Sequence, residues 1–248
     1  MTHTLALCLD APMQSWGLRS RFQSRDTAQE PTKSGIVGLL AAALGIPRHD
    51  TDSIRRLATV RMGVRADREG IVERDFHTVN NVPNTEGKKH RTILSQRYYL
   101  ADALFLVVLE HPDREELVRW HTALHRPRWP LYFGRRAFVP ARPLVAPHPD
   151  DECLGIADRS LEATLEGHCW LENRSDLRER ARRALAEGQE HLLRTLIDTD
   201  PTDELAEPRQ DVPQSFHPRN RLFTSRSVRT GHVPLTTALI HSGAHPCT

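Results

Sequence analysis

Two short apolar runs, each followed by a helical pattern, constrain the fold of this chain more than any other feature. The first, TLALCL, covers residues 4–9 and is stopped by Asp10, Ala11 and Pro12. The second, DALFLVVLE, covers residues 102–110. Apolar runs of this length between turn residues are typical of strands buried in a sheet. The core is therefore predicted to form on a sheet whose strands alternate with helices.

Helix signals follow both runs. The segment PTKSGIVGLLAAALG predicts a first helix, with Ser34 as its N-cap and Gly45 at its C-terminal end. Asp113 begins a second helix, in which apolar side chains recur at helical spacing from Leu117 to Leu124.

Two further strands complete a recognisable order. Residues 60–66 alternate in polarity, and residues 135–145 are expected to form an edge strand because two prolines interrupt them. The order strand, helix, strand, strand, helix, strand is that of a split βαβ unit. We therefore predict an α+β fold, with a ferredoxin-like (RRM-like) βαββαβ palm over 1–146 and a C-terminal α/β extension over 147–248.

The palm carries an insertion. Residues 75–100 are too long for a simple turn and rich in turn residues, which predicts a projecting β-hairpin thumb with a basic tip. In the extension, residues 175–188 predict a charged helix. The segments EHLLRTLID and RLFTSRSV predict strands, and we expect these elements to pack back on the palm. A proline- and acid-rich link over 198–213 separates those two strands.

Charge is segregated along the chain. The formal net charge is only +2, but three arginines and no acid lie between Arg19 and Arg25. Five more arginines, again without an acid, lie between Arg126 and Arg142. A nearly neutral chain with this distribution can present a positive face, although solvated surface is an equally open interpretation.

Several classes of site and location are not expected. The four cysteines form no CxxC pair and have no histidine at zinc-finger spacing, which predicts thiols, no metal site and no cofactor. The amino-terminal residues lack an export signal, and no stretch is long enough to span a membrane. We expect a cytoplasmic protein without a membrane partner.

The common enzyme motifs are missing. There is no GxxxxGK[ST], GxSxG or HExxH motif and no carboxylate cluster suited to magnesium. A metal-free ribonuclease could use the acid, base and cationic groups that crowd into the hairpin, although a solvated hairpin explains them as well. These residues are His77, Lys88, Lys89, His90, Tyr98 and Tyr99.

Two segments are candidates for contacting phosphate or bases. Gly35 and Gly38 leave backbone amides bare at the first helix start, beside the cation of Lys33, so a phosphate would fit there. Close packing of the helix on the sheet would also explain both glycines. In PRWPLYFGRRAF, aromatic residues alternate with arginines, a composition that stacks bases and clamps phosphates on a single strand. Rings in the core and arginines in water is the competing interpretation.

Four separated motifs, APMQSWG, PTKSGIVGLLAAALG, DFHTV and LYFGRR, resemble those of the CasD branch of the Cas5 family, found in type I-E CRISPR Cascade complexes. The resemblance covers about the first 145 residues and returns over 214–228. It implies a non-catalytic subunit that grips the 5′ handle of the crRNA and caps the backbone of CasC subunits. The other implied partners are the large subunit CasA and, through the assembled complex, target DNA.

The resemblance also implies which residues contact RNA. Gln14, Ser15 and Trp16 would border the handle-binding groove, although Trp16 alone is as well explained as a core residue. The full predicted set is Gln14, Ser15, Trp16, Arg19, Arg21, Lys33, Ser34, Gly35, His77, Lys88, Lys89, Arg91, Arg97, Tyr132, Arg135 and Arg136. Two alternatives stay open: a metal-independent endoribonuclease that processes CRISPR repeat RNA, and a protein–protein adaptor whose arginines are merely surface.

Overall fold

The computed structural model describes residues 2–18 and 24–242. The strands are β1 His3–Asp10, β2 Met13–Gln14, β3 Ser24–Arg25, β4 Arg61–Arg68, β5 Ile71–Val82, β6 Arg91–Ala101, β7 Leu104–His111, β8 Ile156–Ala157, β9 Leu192–Asp198, β10 Glu207–His217 and β11 Asn220–Pro234. The helices are α1 Lys33–Leu44, α2 Thr51–Ala58, α3 Arg114–His125, α4 Leu161–Gly167, α5 Ser175–Ala186 and α6 Thr237–Ser242.

The fold is mixed α/β with antiparallel pairing throughout its main sheet. Seven strands follow the order β10-β11-β9-β4-β7-β1-β8, and each neighbouring pair runs antiparallel. A second sheet is built on the long β5–β6 hairpin, where β2 pairs antiparallel and β3 parallel with β6. Residues 147–248, predicted as the extension, thus contribute β8, β9, β10 and β11 to the same sheet as the first strands.

The central strands β1 and β7 are buried on both faces, which explains their uninterrupted apolar runs. The odd-numbered leucines of β1 share a core cluster with Ile36 of α1 and Leu117 of α3. The intervening side chains belong to a second cluster on the opposite face, with Leu161 and Leu165 of α4. Because successive side chains of a strand point to opposite faces, both clusters require apolar residues at every position.

Both predicted helix starts are present, with one correction. Thr32, not Ser34, caps α1: its Oγ1 accepts a hydrogen bond from the backbone N–H of Gly35 at 3.2 Å. Gly45 ends the helix in the left-handed conformation, with φ of 74°. Asp113 caps α3 as predicted, accepting from the Glu115 amide at 2.9 Å.

The predicted strand over 135–145 is wrong, because this segment is irregular. It still follows the edge of β1, where Leu144 O accepts from Cys8 N and Asp10 O accepts from Ala141 N, each at 2.8 Å. Its prolines lack the N–H donors that a regular ladder needs. The short strand β8 takes the paired position beside β1 instead.

The predicted hairpin corresponds to β5 and β6, which pair from Ile71 to Ala101. Asn84 Oδ1 accepts from Lys88 N at 2.8 Å in the turn, and Gly87 supplies the positive φ of 74°. Every side chain of β5 is exposed or half-buried, so the hairpin projects from the main sheet. The predicted link over 198–213 is shorter than expected, since β10 begins at Glu207. Within 2–18 and 24–242, no helix is long and apolar enough to cross a membrane.

Candidate nucleic-acid interface

Gln14, in the middle of the first motif, holds neighbouring groups in place through side-chain hydrogen bonds. Its side chain is fully buried, and Nε2 donates to Leu9 O at 3.1 Å and Ala103 O at 2.8 Å. Its Oε1 accepts from Trp16 Nε1 at 3.2 Å. These bonds satisfy a buried amide and fix the orientation of the indole. Gln14 therefore shapes the surface beyond it through Trp16.

Trp16 is a core residue that also borders open space. It is only 2% exposed, and its ring lies 5.7 Å from the Phe133 ring. A Cβ on Gly35 would stand 2.7 Å from Trp16 Cε3, so the glycine allows α1 to pack against the indole. Of the two roles open for Gly35, the geometry supports close packing.

The GRR element interlocks with the first motif. Ser15 N donates to Phe133 O at 3.0 Å. Gly134 has φ of 87°, and a Cβ there would lie 1.9 Å from Ser15 O. No other residue type fits this approach without moving the backbone. Two segments more than a hundred residues apart thus form one wall.

The amino end of α1 is already supplied with a carboxylate. Lys33 is buried, its Nζ lies 2.9 Å from Asp198 Oδ2, and its backbone N–H donates to Asp211 Oδ2 at 2.8 Å. Asp198, from β9, neutralises the cation. Asp211, from β10, accepts a hydrogen bond from an amide of the helix start that has no partner within the helix. The phosphate position suggested by the sequence is thus occupied by protein carboxylates, and Lys33 joins α1 to the extension.

An open groove of 820 Å³ lies between the first motif, α1, the loop before the GRR element and the β10–β11 hairpin. We call it the arginine groove, because its described lining includes three exposed arginines and no carboxylate. The arginines are Arg48, Arg136 and Arg221, and the aromatic residues are Trp16, Trp129, Tyr132, Phe216 and Phe223. Ser15, Ser34 and Gly35 also line it.

The two arginines of the GRR element have different surroundings. Arg135 Nη2 donates to Tyr98 O at 2.6 Å, and its guanidinium lies 5.2 Å from the Phe138 ring centroid. Burial, together with the charge of Arg97, lowers the pKa of Arg135 from its ordinary value. Arg135 thus fastens the loop to the hairpin base, whereas Arg136 is exposed and lines the groove.

The hairpin residues of the predicted set lie outside the lining of the arginine groove. Lys88, Lys89 and Arg91 are exposed at or beside the tip, as predicted for a basic thumb. Arg97 is half-buried, with Nε donating to Ser95 Oγ at 3.2 Å. His77 is also half-buried. Arg19 and Arg21 lie outside the described residues.

The hairpin residues that could serve a ribonuclease as acid, base and cation lie at separate positions along the two strands and the turn. His77 faces Ser95, so Tyr98 lies three residues further along the strand, about 10 Å away. Lys89 and His90 lie beyond the last paired residues at the other end. The separations are too large for these groups to act on one phosphodiester.

Four groove residues escaped the sequence interpretation: Arg48, Phe216, Arg221 and Phe223. The last three surround the tight turn of β10–β11, where the two phenylalanine rings lie 6.3 Å apart. The signal was available as FHPRNRLF, an aromatic pair flanking a basic turn. Packing of the β10–β11 hairpin beside the first motif and α1 brings these residues to the groove, and no local pattern reveals that packing.

The family model for CRISPR-associated Cas5 proteins matches residues 4–229. The chain belongs to the Cas5 family. It is 39% identical to the CRISPR system Cascade subunit CasD of Escherichia coli (strain K12) over 158 residues, which is 58% of this chain and 70% of that protein. A chain from a CRISPR RNA-guided surveillance complex aligns with a TM-score of 0.75 and 30% identity, over 95% of this chain and 92% of the other. A crystal structure of a Cas protein aligns with a TM-score of 0.67 and 36% sequence identity, over 93% of this chain and 95% of the other.

Proposed function

We propose that this chain is the non-catalytic subunit of a type I-E Cascade complex that binds the 5′ handle of the crRNA in the arginine groove. The observation that carries the proposal is the lining itself, which combines three exposed arginines with five aromatic residues and no described carboxylate. Guanidinium groups contact phosphates and aromatic faces stack splayed bases, the combination that single-stranded RNA requires.

The arrangement of the main sheet supports a ferredoxin-like, RRM-like palm. The strands β8, β1, β7 and β4 lie side by side in that order, with α1 following β1 and α3 following β7. A split βαβ unit places its strands in this order. The β5–β6 hairpin, inserted between β4 and β7, is the thumb of this proposal.

The partners of the family extend the proposal. The exposed apolar side chains Val72, Phe76 and Leu94 lie on one face of the thumb, because Leu94 pairs with Thr78. They give the thumb a surface suited to a protein neighbour, for which we propose the CasC backbone subunit. CasA and, through the complex, target DNA are the further partners. We propose that the chain assembles with crRNA and these subunits in the cytoplasm.

Handle binding is tested by fluorescence anisotropy of the purified full chain with labelled handle RNA at several salt concentrations. Arg136→Gln and Arg221→Gln are each expected to weaken binding about tenfold and to reduce the salt slope by about 1. Arg126→Gln is the matched control, since Arg126 is exposed and outside the groove lining. Equal effects of all three substitutions would reject the groove as the RNA site.

The endoribonuclease alternative gives a different result in a second assay. Labelled repeat RNA is incubated with the full chain in EDTA, and the products are separated at single-nucleotide resolution. We expect no site-specific cleavage, because the candidate groups of the hairpin do not converge. Cleavage at one position, abolished by His77→Ala or Tyr98→Phe, would replace the non-catalytic proposal.

A further inference from the structure

A cluster of two cysteines and a histidine shares no residue with the lining of the arginine groove. One ligand atom from each of Cys153, His168 and Cys169 can be chosen so that all three lie within 4.8 Å of one another. The two sulfurs are 3.0 Å apart. His168 and Cys169 are buried and Cys153 is half-buried, so the cluster faces the interior with one accessible side.

We infer that Cys153, His168 and Cys169 form a zinc site that ties the 148–157 loop to the segment after α4. Thiolate sulfur and imidazole nitrogen are the ligands that Zn²⁺ prefers, at about 2.3 Å and 2.0 Å. Two sulfurs on one tetrahedral ion lie about 3.8 Å apart, so shifts of about 1 Å complete the shell, with water in the fourth position.

The histidine is held in the tautomer that a metal ligand needs. His168 Nδ1 lies 2.9 Å from Cys169 O, to which it donates, and 3.6 Å from Cys169 Sγ, which leaves Nε2 with its lone pair. That lone pair accepts only a long contact, 3.4 Å, from the Leu154 amide beside Cys153. A ligating histidine commonly donates its second ring N–H to a backbone carbonyl, as here.

A buried arginine fixes the segment that carries two of the ligands. The side chains of Arg65 and Asp67 are fully buried, with Arg65 Nε 2.6 Å from Asp67 Oδ1. Arg65 also donates to the carbonyls of Leu165, His168 and Cys169, at 2.6, 2.9 and 2.9 Å. The ligands are therefore preorganised by groups that do not themselves bind the ion.

The opposite ligand sits in a loop with an unusual backbone. Leu154, next to Cys153, has φ of 60°, a left-handed conformation that leucine rarely adopts, and its side chain is buried. Such a conformation persists where the surroundings determine it. Coordination of Cys153 would add a further fixed point to this loop.

Charge and protons balance in the proposed site. Binding forms two Zn–S bonds and one Zn–N bond and releases one proton from each thiol, so the ion and its ligands carry no net charge. A neutral site is compatible with a half-buried position. The spacing C-x14-H-C differs from zinc-finger spacing, and for this reason the sequence alone predicted only thiols.

The test uses the full chain, freed of metal with a chelator and titrated with zinc. We expect about one zinc per chain by mass spectrometry of the metal, an increase in the melting temperature, and a thiolate-to-metal charge-transfer band when cobalt replaces zinc. Cys153→Ser and Cys169→Ser are expected to weaken zinc binding more than tenfold, whereas Cys247→Ser, which removes a thiol 78 positions after Cys169 in the sequence, is expected to leave zinc binding unchanged.

A second measurement uses the unmodified chain, so its result does not depend on whether the serine variants fold. Iodoacetamide labelling followed by peptide mass spectrometry is expected to show that zinc protects Cys153 and Cys169, in comparison with the same chain kept free of metal. Zinc binding that is absent, or that survives both serine substitutions unchanged, would overturn the site. A Cys153–Cys169 disulfide in protein kept with a reductant, with zinc giving no protection, would overturn it as well.

Discussion

Gly35 and Gly38 lie in the first two turns of α1 but face different surroundings. A methyl group on Gly35 would collide with the Trp16 ring at 2.7 Å, whereas a Cβ on Gly38 meets no described atom within 4 Å. We expect Gly35→Ala to destabilise the chain by about 1–3 kcal/mol through overpacking. Gly38→Ala should stabilise it by about 0.5–1 kcal/mol, because alanine loses less entropy in a helix.

Urea denaturation of both variants, measured under identical conditions, checks this pair. The two substitutions are chemically identical and lie in one helix, so each is the control for the other. Opposite signs are expected. If the role of both glycines were instead to leave backbone amides accessible to a phosphate, the two variants would have similar stability. Both would then also lose affinity for handle RNA.

At the scale of single elements, the outer part of the β5–β6 hairpin is expected to be separable from the core, whereas Leu100 at its base belongs to the core cluster. All side chains of β5 are exposed or half-buried, and among the described residues β3 pairs with Gln96 and Arg97 in the middle of β6. Replacing residues 79–93 by Asn-Gly is expected to change the free energy of unfolding by less than about 1 kcal/mol, since little apolar area leaves the core.

Denaturant unfolding of the shortened chain tests that expectation, with the unmodified chain as reference. The same variant should fail to join a co-expressed complex of Cascade subunits if the hairpin is the thumb that contacts the backbone subunit. A large loss of stability would show that the hairpin belongs to the folding unit of the palm.

The elements also show what a sequence reveals and what it hides. The apolar runs that became β1 and β7, the caps Asp113 and Gly45, and the turn-rich hairpin all have local causes, and each was predictable. The segment over 135–145 has strand-like alternation, but its prolines prevent a ladder, and its position along β1 depends on tertiary contacts. Phe216, Arg221 and Phe223 were hidden for the same reason, because the tertiary packing of the β10–β11 hairpin brings them to the groove.

At the scale of the whole molecule, a buried ionic network joins α1 to the extension. Arg226 Nε lies 2.7 Å from Asp211 Oδ1, and its guanidinium also pairs with Asp198, the partner of Lys33. Burial alone would lower the pKa of Arg226, but hydrogen bonds and charge from both aspartates raise it. The arginine therefore stays charged, and removing it leaves two buried carboxylates with one cation.

Arg226→Leu is accordingly expected to destabilise the chain by about 3–5 kcal/mol. Arg229→Leu on the same strand is the matched control, because Arg229 is exposed and lies 3.6 Å from Asp203. Its expected cost is about 0–1 kcal/mol. Chemical denaturation of both variants gives the comparison, and equal losses would mean that the network contributes no more than a surface pair.

The predicted division of the chain into a palm over 1–146 and an extension over 147–248 leads to a last prediction. The extension covers one face of β1 and β7 with Leu154, Leu161 and Leu165, in the cluster that also holds Ala6 and Cys8. It also supplies β9, which pairs with β4 in the main sheet. A fragment ending at residue 146 would expose that apolar face and a long unpaired strand edge.

We therefore expect the fragment over residues 1–146 to aggregate or to remain partly folded, with strong binding of a hydrophobic dye and no fixed near-ultraviolet dichroism. The full chain, purified in the same buffer, is the control. A soluble fragment with cooperative unfolding would show that the palm folds alone. That result would also separate folding from groove formation, because Phe216, Arg221 and Phe223 would be missing while the first motif and the GRR element remained. Loss of handle binding by such a folded fragment would then be assigned to the β10–β11 hairpin rather than to unfolding.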